Sequence, residues 1–463
     1  MGSNMFIVSK RFISFTLITS LYLSGCVYVA DDDEEGDSYG YAQYVNLVPQ
    51  SPEIEFIVED ESEATLAFSE ATAYTYVTNS TFDIEFNQIL PNTENDDFIS
   101  EDSLKVNKKN LHSYILYGDA DAPSTMEINI DISDIYDDDF DDGYALVQFA
   151  NLANINDAVD VYILDADASL TNKTVDYTLA AEDYSGEVSL DAGDYKLVFT
   201  ESGTDTILAM KNDISIEEGE ALSYVFVSYE NAGFDDPFYS IIELNDDGAR
   251  QLTNEAQDSY LRVSNNIVGT SAIAVAKDSS SSTAIEALYF GDISPLISVD
   301  IDDTDDANSV DIYLKDTDTS AVLESTSIDM YADQIVMLLS SGDTSSTVTA
   351  YSHTEDLRVI DTHAKLLIAH NIDNESSTSI TVKVIEQGSN PDSYEASDNI
   401  SYLSSLNIET EAGDYDIYVY DADTDDLLLE TTVYDIEKGD VINLILSDYD
   451  YGGAPYQLFR YTN

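Results

Sequence analysis

Tryptophan is absent from this chain, cysteine occurs once, histidine four times and proline eight times. The missing tryptophan removes the usual aromatic platform for glycans. A lone cysteine, Cys26, leaves no partner for a disulfide, so each domain must rest on its own apolar core. The histidines, His112, His353, His363 and His370, stand in no H-E-x-x-H or other zinc spacing. No G-x-S-x-G elbow, Walker loop or G-x-G-x-x-G fingerprint occurs either. The chain therefore reads as a non-enzyme. A carboxylate pair for glycoside hydrolysis stays open among 92 acidic residues, because only spacing in three dimensions would reveal it. Scarce proline argues against stiff polyproline linkers. Basic residues number 17, and the formal charge is −75. Such a surface repels nucleic acid and anionic lipid headgroups. High salt would screen its self-repulsion, and a saline habitat suits it. Disorder is the rival reading of so much charge, but 43% of residues are hydrophobic and fall in recurring runs.

The first 26 residues have the layout of a secretory signal. Lys10 and Arg11 supply positive charge, Phe12 to Leu23 are apolar, and Leu23-Ser24-Gly25-Cys26 follows. The alternative is a membrane-spanning helix, but the apolar run falls short of the ~20 residues a bilayer requires. The segment resembles the bacterial lipobox. That resemblance implies cleavage before Cys26, lipidation of Cys26 and attachment to a membrane through several acyl chains, each buried CH₂ contributing ~0.8 kcal/mol. Val27 follows the cysteine where an Asp usually retains Gram-negative lipoproteins at the inner membrane. The resemblance thus points to the outer membrane, on its periplasmic or cell-surface face. Residues 27–38 read as a solvated acidic tether, either a surface-export feature or a plain spacer.

Beyond the tether the chain repeats itself. Gln43-Tyr-Val-Asn-Leu-Val48 is matched by Gln148-Phe-Ala-Asn-Leu-Ala153, with counterparts at Arg262-Val-Ser-Asn265 and Ile368-Ala-His-Asn371. The four asparagines, Asn46, Asn151, Asn265 and Asn371, are spaced by 105, 114 and 106 residues. Ala192-Gly-Asp-Tyr195 recurs as Ala412-Gly-Asp-Tyr415, followed in each copy by a later glycine, Gly219 and Gly439. These markers divide the chain into units 39–142, 143–256, 257–361 and 362–463. Within each, short alternating runs are broken by Gly, Asn, Asp and Ser every 8–12 residues. The 33 tyrosines fit strands that pack along sheets. The expectation is all-β: four tandem Ig-like antiparallel β-sandwich domains of about seven strands each. Laid end to end, at ~40 Å each, they would form a rod.

Unit 2 carries the fullest pattern: Gln148 to Asn151, then Ala158-Val-Asp-Val-Tyr162, Ala192-Gly-Asp-Tyr195 and Gly219. Unit 4 matches in its second half, whereas units 1 and 3 lack the A-G-x-Y turn and rest on spacing and strand pattern. This arrangement resembles the bacterial domain-of-unknown-function family 4397 over most of residues 41–450. The resemblance implies an Ig-like sandwich on exported, envelope-attached proteins, and implies no activity.

The glycines of the A-G-D-Y motif are expected to take positive φ in a turn, and the four asparagines to hold turns at strand ends. Both are fold markers. The acidic turns are the functional candidates. Asp421, Asp423 and Asp425 lie at one hairpin tip, with Asp426 beside them; Asp316 and Asp318 lie at the matching tip of unit 3, and Asp205 near that of unit 2. Further groups are Asp119/Asp121, Asp165/Asp167, Asp137 to Asp142, and Asp302, Asp303, Asp305 and Asp306. Ca²⁺ takes six to eight oxygens, so D-x-D-x-D at a turn is chemically apt. An EF-hand is excluded, because Asp426 stands where Gly is required and Thr432 where Glu is required. Solvated turns with diffuse cations are the other reading.

The chain is therefore expected to be a non-catalytic, lipid-anchored envelope protein acting as a spacer, adhesion or binding module. Its expected partners are the membrane, through its anchor, and an envelope or extracellular protein or glycan. No cofactor is expected. The alternatives are a calcium-dependent glycan or matrix binder and, more remotely, a carbohydrate-active hydrolase.

Overall fold

Strands form here where β-branched and aromatic residues alternate with polar ones, and turns form at the intervening Gly, Asn and Asp. In Gly413–Asp421 the alternation is regular: Tyr415, Ile417 and Val419 are buried while Asp416, Tyr418 and Tyr420 are half-exposed. The computed structural model describes residues 39–91, 97–133, 143–154, 157–166, 168–301, 308–372, 379–393 and 396–463. The signal segment, Cys26, the tether, Asp137 to Asp142, Asp167, and Asp302, Asp303, Asp305 and Asp306 lie outside the described residues. Among those described the chain is all-β, apart from one short 3₁₀ turn at Pro391–Ser393.

The strands form four tandem sandwiches, each made of two sheets drawn from one stretch of sequence. Unit 4 shows the plan. One sheet runs Ser405–Thr410, Ala364–Asn371, Val441–Ser447, Gln457–Thr462, and the other Ile400–Ser401, Ser379–Glu386, Gly413–Asp421, Leu427–Ile436. Among the described residues units 3 and 4 thus have eight strands each, unit 1 nine and unit 2 ten, rather than seven. Pairing is antiparallel with one exception per unit. The first strand lies parallel to the strand before the last in units 1, 3 and 4, as Tyr39–Leu47 to Asn110–Asp119, Ser259–Val268 to Ile335–Asp343, and Ala364–Asn371 to Val441–Ser447, and in unit 2 to the third strand from the end, as Tyr144–Asn151 to Ala221–Tyr229. Each unit closes its own core. In unit 4 Leu366 and Ile368 meet Ile380, Val382, Ile417 and Val419, and each such side chain contributes ~1.5–3 kcal/mol by leaving water.

The Asn marker holds in three units and shifts in the fourth. Asn46 donates to the Leu66 carbonyl (2.9 Å) and accepts from Val48 N–H (3.0 Å). Asn265 does the same with Leu288 (2.8 Å) and Ile267 (3.0 Å), and Asn151 donates to Ala180 (3.2 Å). In unit 4 this place belongs to His370, whose Nδ1 accepts from Ile372 N–H at 3.3 Å. Backbone bonds agree: the carbonyls of Asn46, Asn151, Asn265 and His370 accept from Ser69, Glu182, Gly291 and Leu403, all four at positive φ. Asn371 is one residue out of register. Its side chain faces unit 3, because adjacent strand residues point to opposite faces.

The A-G-D-Y glycines differ from expectation too. Gly193 has no positive φ, and Gly413, at +157°, is nearly extended. At both positions the ring of the tyrosine two residues on lies over the glycine, 3.9 and 3.5 Å from where a Cβ would stand. The left-handed turn is instead made by Gly219 and Gly439, at φ +80° and +84°.

The units do not lie end to end. The sheets that carry the parallel pairs face one another, so their central strands are buried on both sides. Val45, Leu47 and Ile115 of unit 1 pack on Ala150, Val225 and Ile242 of unit 2. This seam has approximate twofold character: Gln43 of unit 1 donates to Asn245 of unit 2 (2.9 Å), and Gln148 of unit 2 donates to Asn129 of unit 1 (2.8 Å). Between units 3 and 4, Met337 and Leu339 meet Ala369, Leu403 and Ile445. Asn371 there donates to Asn266 at 2.9 Å.

Candidate functional site

Unit 2 departs from the shared plan by one added strand. After Phe238–Asn245 the chain turns at Asn245-Asp-Asp-Gly248, where Asp247 N–H donates to the Asn245 side chain (3.0 Å), and returns as Gly248–Leu252. Gly248 lets this turn approach unit 1, since a Cβ there would stand 3.0 Å from the Ala71 carbonyl oxygen. The added strand faces Ile207–Ile216, the edge of the other sheet, and a cleft of about 530 Å³ opens between them.

The floor of the cleft is apolar: Ile214, Leu222 and Leu252 are all buried. Its walls are charged and polar, with Lys211, Arg250, Asp213, Glu217, Glu220 and Glu243 beside Ser215, Asn245, Gln251 and Thr253. Register places Arg250 opposite Glu243, and the two form an ion pair at 2.9 Å. Asn245 donates to the other Glu243 oxygen at 3.2 Å. Arg250 is 63% exposed, so its guanidinium faces the cleft with donors to spare, while Glu243 behind it is only 6% exposed. Lys211 is held by the enclosed Glu255 at 2.5 Å. Glu220 accepts from Glu217 N–H at 2.8 Å. Burial pushes the Glu220 carboxyl above its ordinary range; the Glu217 hydrogen bond opposes this, and the charges of Glu217, Glu243 and Asp246 add to it. Surplus negative potential of this kind discourages an anionic ligand.

The sequence reading missed this cleft. Its signal was the Asn245-Asp-Asp-Gly248 turn, followed by Arg250, one of the few basic residues. None of the four histidines lines it.

The acidic turns named from the sequence are closed on themselves. Asp421 Oδ1 accepts from the backbone N–H of Asp423 and Thr424, both at 2.9 Å. Asp316 Oδ1 accepts from Asp318 and Thr319, both at 2.8 Å, and the Thr319 bond leads in holding the Asp316 carboxyl below the usual range. Asp318 accepts from the Ser271 hydroxyl at 2.9 Å, and Asp425 takes a left-handed conformation at φ 59°. The two tips are thus the same hairpin turn in two units, each capped by its first aspartate. Asp119 and Asp121 repeat the device, Asp121 N–H donating to Asp119 at 2.9 Å. The structure does not bring the two main tips together. Among the described residues no group of three or more His, Cys, Asp or Glu side chains converges on a space for a metal ion.

No family model matches the chain, and no curated protein matches it. Among solved structures it is similar to the Bacillus anthracis TIE protein, at 9% identity and a TM-score of 0.15, over 89% of this chain and 68% of that one. It is also similar to a putative adhesin from Bacteroides ovatus, at 10% identity and a TM-score of 0.20, over 48% of this chain and 97% of that one.

Proposed function

We propose that this chain is a non-catalytic binding protein of the bacterial outer envelope, lipid-anchored at Cys26, that takes a neutral polyhydroxylated ligand, a saccharide segment, in the unit 2 cleft. The observation that carries the reading is the added strand Gly248–Leu252, which turns one of four similar sandwiches into a walled cleft. Sugars have apolar C–H faces and hydroxyl edges. The floor of Ile214, Leu222 and Leu252 suits the first, and the fixed fork of Arg250 with Glu243, Asn245 and Gln251 suits the second. The acidic walls and the charge of −75 reject anionic polymers. The family resemblance of the repeats supports an envelope setting.

Affinity electrophoresis through gels containing neutral polysaccharides such as dextran, starch or xyloglucan tests the cleft. At least one should retard the protein, and Arg250→Ala should restore free migration without lowering the melting temperature by more than a few degrees. Equal migration in every gel overturns the saccharide assignment. The anchor is tested separately. Metabolic labelling with an alkynyl fatty acid should mark the protein, and Cys26→Ser should abolish the label and release the protein from the membrane fraction.

A further inference from the structure

We infer that residues 355–361, which join units 3 and 4, act as a latch that holds all four units as one body. By composition, Glu355-Asp-Leu-Arg-Val-Ile-Asp361 would pass for an ordinary exposed linker. Instead Glu355, Leu357 and Ile360 are buried, and the segment touches every unit.

In unit 1 the Arg358 guanidinium donates to the carbonyls of Pro49 (2.6 Å) and Ser51 (2.9 Å) and lies 5.4 Å from the ring centre of Phe68. Asp361 N–H donates to Gln50 nearby (3.0 Å). With unit 2 the segment forms a short antiparallel bridge: Ala232 N–H donates to Leu357 (2.9 Å) and Val359 N–H to Glu230 (3.0 Å). Unit 3 supplies Arg262, which holds both Glu355 oxygens at 2.5 and 2.6 Å. Unit 4 supplies Lys365, paired with Asp356 at 2.7 Å. Leu357 fills the point where Phe238 of unit 2, Ile335 of unit 3 and Leu367 of unit 4 meet.

Basic side chains are rare here, and three of the 17 converge on this one segment. Arg262 and Lys365 fix the segment to units 3 and 4, while Arg358 reaches across to unit 1. That last contact joins the pair of units 1 and 2 to the pair of units 3 and 4. Without it, what fastens the two pairs is chiefly the Asp361–Gln50 backbone bond, the bridge at Ala232 and the cluster around Leu357.

Hydrogen exchange read by mass spectrometry on the full, detergent-solubilised chain tests this. Arg358→Ala should speed exchange at least about tenfold in peptides covering 48–51 and 230–232, with a fall in sedimentation coefficient as the pairs separate. Peptides from the cores, 197–199 and 417–419, should keep wild-type rates. Arg358→Lys, which keeps the charge but loses the fork, should give a smaller change of the same pattern. Unchanged exchange at 48–51 overturns the latch. So does a uniform rise that includes the core peptides in both variants, because the segment would then support folding as a whole rather than join separable parts.

Discussion

Asp333 sits in the turn before Ile335–Asp343 at φ 60°, with its Oδ1 enclosed and without a hydrogen-bond partner among the described residues. Burial pushes its carboxyl up to about 8, against the pull of the Asn254 backbone N–H. In the unfolded chain the group ionises near its ordinary value of 3.8. Between those pH values the unfolded state has lost a proton that the folded state keeps, so stability falls as pH rises through the window. Asp333→Asn keeps the shape, tolerates the left-handed backbone and cannot ionise. It should stabilise the fold by ~1–3 kcal/mol at pH 8 and by almost nothing at pH 4. Denaturant melts at the two pH values check this, and equal effects at both would refute it.

His370 carries the opposite sign. Burial holds its imidazole down to about 4, and burial aided by Arg262 does the same for His353. Below about 6.5 the unfolded chain gains protons that these folded imidazoles refuse, so stability falls as pH drops toward 4. Units 1 to 3 show that Asn fits the His370 position. His370→Asn should therefore leave stability at pH 7 within ~1 kcal/mol of wild type. It should then flatten the acid side of the stability curve between pH 6.5 and 4. A curve of unchanged slope would show that His370 titrates normally.

At the scale of elements, the hairpin tips decide how calcium should behave. Each first aspartate already accepts two backbone N–H bonds within its turn, so capturing a cation would mean giving those up. CaCl₂ and MgCl₂ at equal ionic strength should accordingly shift the melting temperature equally. A rise specific to Ca²⁺ would return Asp316, Asp318, Asp421, Asp423 and Asp425 to the role of ligands. The seam between units 3 and 4 is open to a sharper test. Gly291 of unit 3 stands at φ +85°, and a Cβ there would come 2.4 Å from the Phe459 ring of unit 4. Gly291→Ala should cost on the order of 2–3 kcal/mol through strain and overpacking. Phe459→Leu should recover about 1 kcal/mol of it. Strict additivity in that double-mutant cycle would mean the two residues do not touch.

These elements also show how far the residues alone could be read. Period-2 runs and turn residues announce the strands, and recurring Asn, Gly and Asp announce the units, because both are local patterns. The register slip at His370 was hidden since an Asn does follow it, and only hydrogen bonding distinguishes the two faces of that strand. The seams were hidden for a related reason. The outer face of each first strand carries Gln43, Gln148, Arg262 or Lys365, which read as solvent-facing, yet all four are buried against neighbouring units or the latch. Polar residues satisfied across an interface mask the face even where apolar neighbours such as Val45 and Leu47 share it. The cleft depends on a sheet edge meeting another sheet, a long-range arrangement that no local pattern records.

For the whole molecule, the charge of −75 and the seams make opposing demands. Four acidic units pressed face to face repel one another, and the repulsion is strongest in dilute salt, where the Debye length is longest. The Arg262–Glu355 ion pair that fastens the latch is different in kind. Arg262 and Glu355 are 6% and 0% exposed, so mobile ions screen them little. Between 0.05 and 1 M NaCl the Debye length falls from above ~10 Å to ~3 Å. The repulsive contribution is removed while the latch keeps its attraction, and hydrophobic burial is not weakened. The melting temperature should therefore rise by roughly 5 °C or more across that range. Arg358→Ala should rise more steeply, because its two pairs of units depend more on reduced repulsion to stay together. A melting temperature that falls with salt would mean that exposed ion pairs, rather than enclosed ones, hold the units in place.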